Sequence, residues 1–546
     1  MIFNDLGFAK TQEKRQRRVD SSDSSDLSDS SDLSDLSDLS DLSDLSDLSD
    51  LSDLSDDVVG EDELAAEMPD GVGETAKAGL KGPISLRHEE RLPPASPQPG
   101  EFSAKELAGG SVGDGLTNKT LMKTRQQFEL GMVVAMAAFG IGSLPAAGAD
   151  WPQFRGPNLD GKSTETGIIK SWEQQPPALR WMGEGLGNGY AGLAVVGERI
   201  YTCGDFKDGQ GVVAVDAKDG KVVWTTVLTE GVPKHGYEGA RSTPTVVGDQ
   251  LWVTTSDGMI ACLSTAGKVL WKKSFDKEWG GKMMSGWGFA ESVLVDGKAA
   301  ICTPGGPEAM MVALDKDSGK ELWKCQVPEF ASNGKPGAGY SSVVISMGAG
   351  VKQYVQMTGR GVIGVRAADG KFLWGYGHTA NGVANISSPV IEGDYVFSST
   401  AYGAGAGLVK LEKDGAGVKA TEVYFLKPDV LQNHHGGMVL VDGYIYCGHK
   451  QNGGDLVCLE LKTGKFMWGP IKAPGKGSAC VTYADGHLIF RYQNGLVVLV
   501  EATPKEFRAK GTFTPQFQEK ESWAYPVVAG GRLYLREQDK LMCYQL

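Results

Sequence analysis

Eight short stretches rich in glycine, aromatic and polar residues recur at intervals of roughly fifty residues, and they hold most of the side chains suited to binding or catalysis. They read G-N-G-Y-A-G (Gly187 to Gly192), H-G-Y-E-G-A-R-S-T (His235 to Thr243), G-W-G-F-A-E-S (Gly286 to Ser292), G-A-G-Y-S-S (Gly337 to Ser342), A-N-I-S-S (Ala384 to Ser388), Q-N-H-H-G-G (Gln432 to Gly437), G-K-G-S-A (Gly475 to Ala479) and S-W-A-Y (Ser522 to Tyr525). Tyr190, Tyr237, Trp287, Tyr340 and Trp523 offer aromatic faces; Glu238, Arg241 and Glu291 offer charge; His235, Asn385, His434 and His435 offer donors and acceptors. Brought to one place, this set could hold a ligand by stacking and hydrogen bonding, or it could fill a channel by satisfying itself. Glu291 and Arg241 could form an ion pair, or Glu291 could ligate Ca²⁺ or serve as a general base. Adjacent His434 and His435 would point to opposite faces of an extended strand, which argues against a shared metal ion. The chain lacks G-x-S-x-G, H-E-x-x-H and phosphate-loop motifs, so hydrolase and nucleotide readings have no support.

Two interleaved repeats must position these stretches. The first is a strand, a glycine turn and a strand, as in A-V-V-G-E-R-I-Y (Ala194 to Tyr201) and V-V-A-G-G-R-L-Y (Val527 to Tyr534). The second is a hairpin ending on an aromatic residue: A-V-D-A-K-D-G-K-V-V-W (Ala214 to Trp224), A-C-L-S-T-A-G-K-V-L-W (Ala261 to Trp271), A-L-D-K-D-S-G-K-E-L-W (Ala313 to Trp323), G-V-R-A-A-D-G-K-F-L-W (Gly364 to Trp374) and C-L-E-L-K-T-G-K-F-M-W (Cys458 to Trp468). Glycine supplies the φ > 0 that each tight turn needs, and the two hairpins together make a four-stranded antiparallel sheet, one blade of a propeller. The outer-strand aromatics Trp181, Trp224, Trp271, Trp323, Trp374, Tyr424, Trp468 and Phe507 predict eight blades. Trp181 precedes the first inner hairpin and the last unit ends without an outer strand. The strand around Leu179 to Met182 therefore closes the ring against the C-terminus. The expectation is an all-β, eight-bladed β-propeller over 150–546, with Trp181, Trp224, Trp271, Trp323, Trp374 and Trp468 docking blade on blade, and with Asp216 and Asp315 capping hairpin turns.

Glycine, at 75 of 546 residues, suits such a turn-rich chain. The net charge of -14 comes from residues 1–121, which carry 27 acidic and 11 basic side chains and include a Ser-Asp-Leu repeat; this segment reads as a disordered extension that translation from Met122 would omit. The remainder is close to neutral, which gives no reason to expect nucleic acid as a partner. Lys123 and Arg125, an apolar run from Leu130 to Leu144 and Ala147-Gly148-Ala149 read as a signal peptide over 122–149, too short in its apolar run for a stable membrane span. The mature protein is expected to be periplasmic or secreted, and monomeric. Of the eight cysteines, Cys447 and Cys458 flank one hairpin and could form a cross-strand disulfide; the rest read as small core residues.

The repeats resemble the pyrroloquinoline-quinone-like repeat family, the eight-bladed propellers of quinoprotein alcohol dehydrogenases, whose motif reads A-x-D-x-x-T-G-x-x-x-W. The opening W-P-Q-F-R-G-P-N-L-D-G (Trp151 to Gly161) is similar to that of secreted bacterial members. The superfamily also includes the lipoprotein scaffold of the outer-membrane β-barrel assembly machinery, which is not an enzyme. Enzymatic membership would imply a quinone over a tryptophan floor, Ca²⁺ on carboxylate and amide oxygens, an Asp base and a disulfide between adjacent cysteines. This chain has no Cys-Cys pair and little room for long insertions. The leading expectation is therefore a binding or scaffold module for a protein or an extracellular polymer such as a carbohydrate, with no catalytic residue and no resident metal. The alternative is a quinone-dependent oxidoreductase acting on an alcohol or sugar, with Trp287 or Trp523 stacked on the cofactor and Glu291 near Ca²⁺.

Overall fold

The computed structural model describes residues 149–168 and 171–546; the acidic extension and all but the last residue of the signal peptide lie outside them. Among the described residues are eight four-stranded sheets. Blades one to seven span 194–227, 245–274, 294–325, 344–376, 390–426, 438–471 and 479–513, each from consecutive strands. Blade eight takes its three inner strands from Val527–Ala529, Arg532–Glu537 and Lys540–Gln545 and its outer strand from Ala178–Glu184. Leu179 faces Tyr544 and Trp181 faces Cys543 across that seam, so the ring is an eight-bladed β-propeller closed as the order of its repeats requires.

The recurrence of Gly with Trp has a mechanical cause. The outer aromatic of one blade lies on the third hairpin turn of the next and donates to a turn carbonyl: Trp224 Nε1 to Thr265 O at 3.1 Å, Trp271 to Lys316 O at 2.9 Å, Trp323 to Ala367 O at 3.3 Å, Trp468 to Thr503 O at 2.8 Å, and the Tyr424 hydroxyl to Leu461 O at 2.6 Å. Trp181 also packs on Gly220 of the blade-one turn, but its Nε1 has no hydrogen-bond partner. Trp374 differs. Blade five has ten-residue outer strands, Gly405–Asp414 and Gly417–Leu426, and Trp374 donates instead to Gln353 Oε1 of its own blade at 2.6 Å. Asp216 accepts from Lys218 N at 2.9 Å and Asp315 from Ser318 N at 2.9 Å, so both cap turns.

The clasp makes Gly319→Ala an informative change. Its φ is +69°, and an added Cβ would lie 2.8 Å from the Trp271 ring. A loss of about 2 kcal/mol is expected in denaturant unfolding. Gly297→Ala, with φ +61° but open space around it, should cost about 1 kcal/mol. Equal losses would show that the clasp contributes nothing.

All eight cysteines are buried free thiols. The Cys447–Cys458 bridge that the sequence allowed is ruled out by register: Cys447 faces Val457 and Tyr446 faces Cys458. One residue of offset turns the two thiols to opposite faces of the sheet, Cys447 into the core shared with blade five and Cys458 into that shared with blade seven.

The segment 151–163 lies in one end of the channel as a plug, and it leaves on the face by which it enters: Glu165 Oε1 accepts from Gly530 N, in the first hairpin turn of blade eight, at 2.6 Å. It enters on the face of the first hairpin turns, where Asp150 Oδ1 accepts from Gly197 N at 2.9 Å. Trp151 exchanges both backbone hydrogen bonds with Val195 of blade one, and Pro152 O accepts from Val246 of blade two. Arg155 donates Nη2 to Met438 O of blade six at 2.5 Å, and Ser163 N and Gly161 O bond to Tyr483 of blade seven. Ser163 Oγ donates to Val528 O of blade eight at 2.9 Å. These bonds cross-link five of the eight inner strands through one short piece of chain.

Candidate functional site at the channel mouth

The stretches singled out in the sequence lead into the innermost strands and so gather at the channel mouth opposite the plug's entry. Their Ser and Thr residues tie them together. Thr243 N donates to Ser292 Oγ, Ser292 N to Ser342 Oγ and Ser342 N to Ser388 Oγ, at 3.0, 2.9 and 3.1 Å. This relay runs through blades two to five. It satisfies backbone amides that have no strand partner at that point, and it sets the spacing of the side chains above it.

Earlier in these stretches the large side chains meet. The Trp523 ring lies 4.6 Å from Tyr190, 5.2 Å from Tyr237 and 4.9 Å from His435 by centroid, joining the entries to blades eight, one, two and six. Trp287 packs against Tyr340 at 5.9 Å, and the Tyr340 hydroxyl bonds Ser285 Oγ at 2.7 Å. Arg241 joins the two groups. Its guanidinium sits 5.8 Å from the Tyr190 ring centre and donates to the carbonyls of Trp287, Gly236 and Tyr237. Its Nη1 lies 3.0 Å from His235 Nδ1 as well. His235 Nδ1 also lies 3.0 Å from Gly236 O; a guanidinium can only donate and a carbonyl can only accept, so these two contacts call for opposite tautomers of the ring. Desolvation lowers the pKa of both Arg241 and His235, and burial together with the nearby Glu521 pushes the Tyr190 hydroxyl up to about 12.

The loop that Arg241 braces holds Tyr237 in left-handed backbone, φ 51°, with 55% of the residue exposed. Glu238 is exposed beside it. Beneath, His235 Nε2, His435 Nε2, Trp523 Nε1, Gln538 Nε2 and Gln493 Oε1 are buried without hydrogen-bond partners. Such orphaned polar atoms are uncommon, and their concentration here distinguishes the mouth from the rest of the propeller.

Three expectations change. Glu291 and Arg241 do not pair: Glu291 is 2% exposed and accepts from Thr303 N at 2.6 Å, Thr303 Oγ1 at 2.7 Å and Gln356 Nε2 at 3.0 Å, all within blades three and four. Burial without a cation raises its pKa to about 8. Asn385 is fully buried; its amide donates to Thr358 O and Gly359 O, and its oxygen accepts from Asn381 N, so it staples loops together. His434 and His435 lie on a bend, not on an extended strand, and their rings come within 4.1 Å. His434 bonds Ser478 Oγ and the Tyr402 hydroxyl, and desolvation pushes its pKa down to about 4. Desolvation and the neighbouring ring drive His435 lower than usual as well. The pair is neutral and packed.

Sequence reasoning missed the buried cations near the mouth. Arg491 and Glu537 form an ion pair at 2.8 Å with side chains 0% and 1% exposed. Arg536 donates to Gly187 O, Ala191 O, Cys203 O, Gln538 O and Thr202 Oγ1, locking blade eight to blade one. Charged residues at a buried second-strand position, where the other blades carry Cys203, Thr254, Thr303, Met357, Ser399 and Gly448, were the available signal.

Ca²⁺ would need several oxygen ligands. Both Glu291 oxygens are taken by hydrogen-bond donors, its raised pKa favours the neutral acid, and no group of three or more His, Cys, Asp or Glu among the described residues could hold an ion. The faces of Trp523 are crowded by three neighbouring rings. These residues do not fit a quinone and its metal.

Fold and mouth together define an eight-bladed propeller of PQQ-like repeats. The family model described as outer membrane protein assembly factor BamB matches residues 169–329 and 208–470, and the chain belongs to that family. Quinohemoprotein alcohol dehydrogenase from Comamonas testosteroni has a similar structure, with TM-score 0.50 and 12% identity over 72% of this chain and 80% of its own. BamB from Moraxella catarrhalis is similar at TM-score 0.35 and 15% identity, over 67% and 85%. Both likenesses concern the fold. No curated protein matches the sequence. Among the described residues no helix is long and apolar enough to cross a membrane.

Proposed function

We propose that the chain is an exported binding or scaffold module that takes a protein or extracellular polymer on its channel mouth. The observation that carries this reading is the Arg241-braced loop, which spends a strained backbone conformation on holding Tyr237 out over Trp523. A rigid exposed aromatic above desolvated donors is the composition of an interface hot spot. The family's description as an assembly factor supports a protein partner.

A photo-crosslinking residue at position 237, in the cell that makes the protein, should capture one discrete partner, whereas the same residue at exposed Val222 should not. Tyr237→Ala should weaken capture by about 2 kcal/mol, roughly thirtyfold, without shifting the unfolding midpoint. Micromolar binding of pyrroloquinoline quinone with Ca²⁺, together with dye reduction across an alcohol panel, would replace this reading with the oxidoreductase one.

A further inference from the structure

At the plug's end of the channel lies a cavity of about 530 Å³, separate from the mouth. The plug hydrogen-bonds to blades one, two, six, seven and eight and meets three, four and five only through the Leu159 side chain, which packs against their shared cores and lines the cavity. In each inner strand the middle residue sits opposite a partner to which it makes no ladder bond, so its N–H and C=O turn toward the axis. Val195, Val246, Leu440, Tyr483 and Val528 are the middle residues whose groups the plug uses. The same register places Val295, Ile345 and Ile391 opposite Ala300, Tyr354 and Val396. All three line the cavity, and the plug makes no hydrogen bond to them. Leu294, Val344 and Val390 make the wall apolar. The plug face is polar, with Arg155 and Lys162 against Asp160. Arg155 is 5% exposed, and its Nη1, without a hydrogen-bond partner, lies beside Gly437 and the Tyr525 hydroxyl.

We propose that this cavity binds a short extended peptide segment, bridged through its backbone to Val295, Ile345 and Ile391, with apolar side chains on the blades and an acidic one toward Arg155. The plug shows the chemistry: Trp151 satisfies Val195 with a reciprocal N–H and C=O pair, and Gly161 with Ser163 does the same for Tyr483. Three further inner edges remain for a second piece of backbone, in a space of ligand-pocket size. The inference does not rest on the mouth reading, since the inner strands run from one site to the other.

The test titrates the full chain with the capped tripeptide acetyl-Val-Asp-Val-amide, its backbone N-methylated form and a neutral hexose oligosaccharide, following heat and amide exchange. The expected result is saturable tripeptide binding that slows exchange in 293–296, 343–346 and 389–392. N-methylation should weaken it by about tenfold or more. Ile345→Pro removes one inward N–H that carries no ladder bond, and should weaken binding by a similar factor while Tyr237→Ala leaves it unchanged. If Ile345→Pro fails to fold, the N-methylated peptide still decides. Absence of saturable binding, equal binding of the N-methylated peptide, or protection of these segments by the oligosaccharide alone would overturn the proposal.

Discussion

Glu537→Ala is expected to destabilise the propeller by about 3–5 kcal/mol, because it strands Arg491 as an uncompensated buried charge. Glu537 also accepts from Lys520 N at 3.0 Å and Ser522 Oγ at 2.6 Å, so its loss frees the loop that carries Trp523. Arg491 in turn holds Ala524 O at 3.1 Å and Arg536 O at 2.6 Å. Urea unfolding should show the drop in midpoint, and near-ultraviolet circular dichroism should show Trp523 released before global unfolding. Arg491→Met combined with Glu537→Leu should recover part of the loss, since removing both charges also removes their desolvation cost. If Glu537→Ala costs under about 1 kcal/mol, comparable to an exposed pair, the ion pair is not what secures the closing blade.

The second large effect is a pH dependence centred on Glu291. Its carboxyl titrates near 4.5 in the unfolded chain and about 8 in the fold, with desolvation as the main cause and the Thr303 hydrogen bonds opposing it. Between those values the folded state holds a proton that the unfolded state has released. Stability from this group is therefore complete below 4.5 and is lost as pH rises through 8, by as much as about 5 kcal/mol. Glu291→Gln should flatten that decline and make the variant the more stable protein at pH 8. The Thr303 hydroxyl can rotate to accept from the new amide. A wild-type profile that is flat from pH 5 to 8, or one that rises, would contradict the assignment. Desolvation likewise depresses His434 to about 4, so protonation of the adjacent imidazoles adds a separate loss only in acid.

The architecture was legible from local pattern because each repeat encodes its own contact. A Gly turn with an aromatic eleven residues into the motif specifies both the hairpin and the surface on which the neighbouring aromatic rests, as Trp271 on Gly319 shows. Blade five could be counted but its exception could not. Trp374 turns back to Gln353 of its own blade, beside a next blade whose two outer strands are each ten residues long. The mouth was located for a similar reason: residues leading into eight equivalent strands must converge whatever they are.

What those residues do once together was not legible. Arg241 and Glu291 looked like partners by charge, yet one braces a loop and the other is buried between blades. The bend at His435 reversed an argument built on an extended strand. A one-residue register separated Cys447 from Cys458. The opening W-P-Q-F-R-G-P-N-L-D-G carried no periodic signal of any kind, because its backbone pairs with blades that follow it by tens to hundreds of residues.

Repetition in the amino-acid order was thus sufficient for blade number, strand order and ring closure, since these follow from contacts between neighbouring copies of one motif. The charge partners, the braced Tyr237 loop, the plug and the cavity beside it emerged only in three dimensions. They depend on which side chains meet around a common axis, and that is set by contacts among residues far apart along the chain.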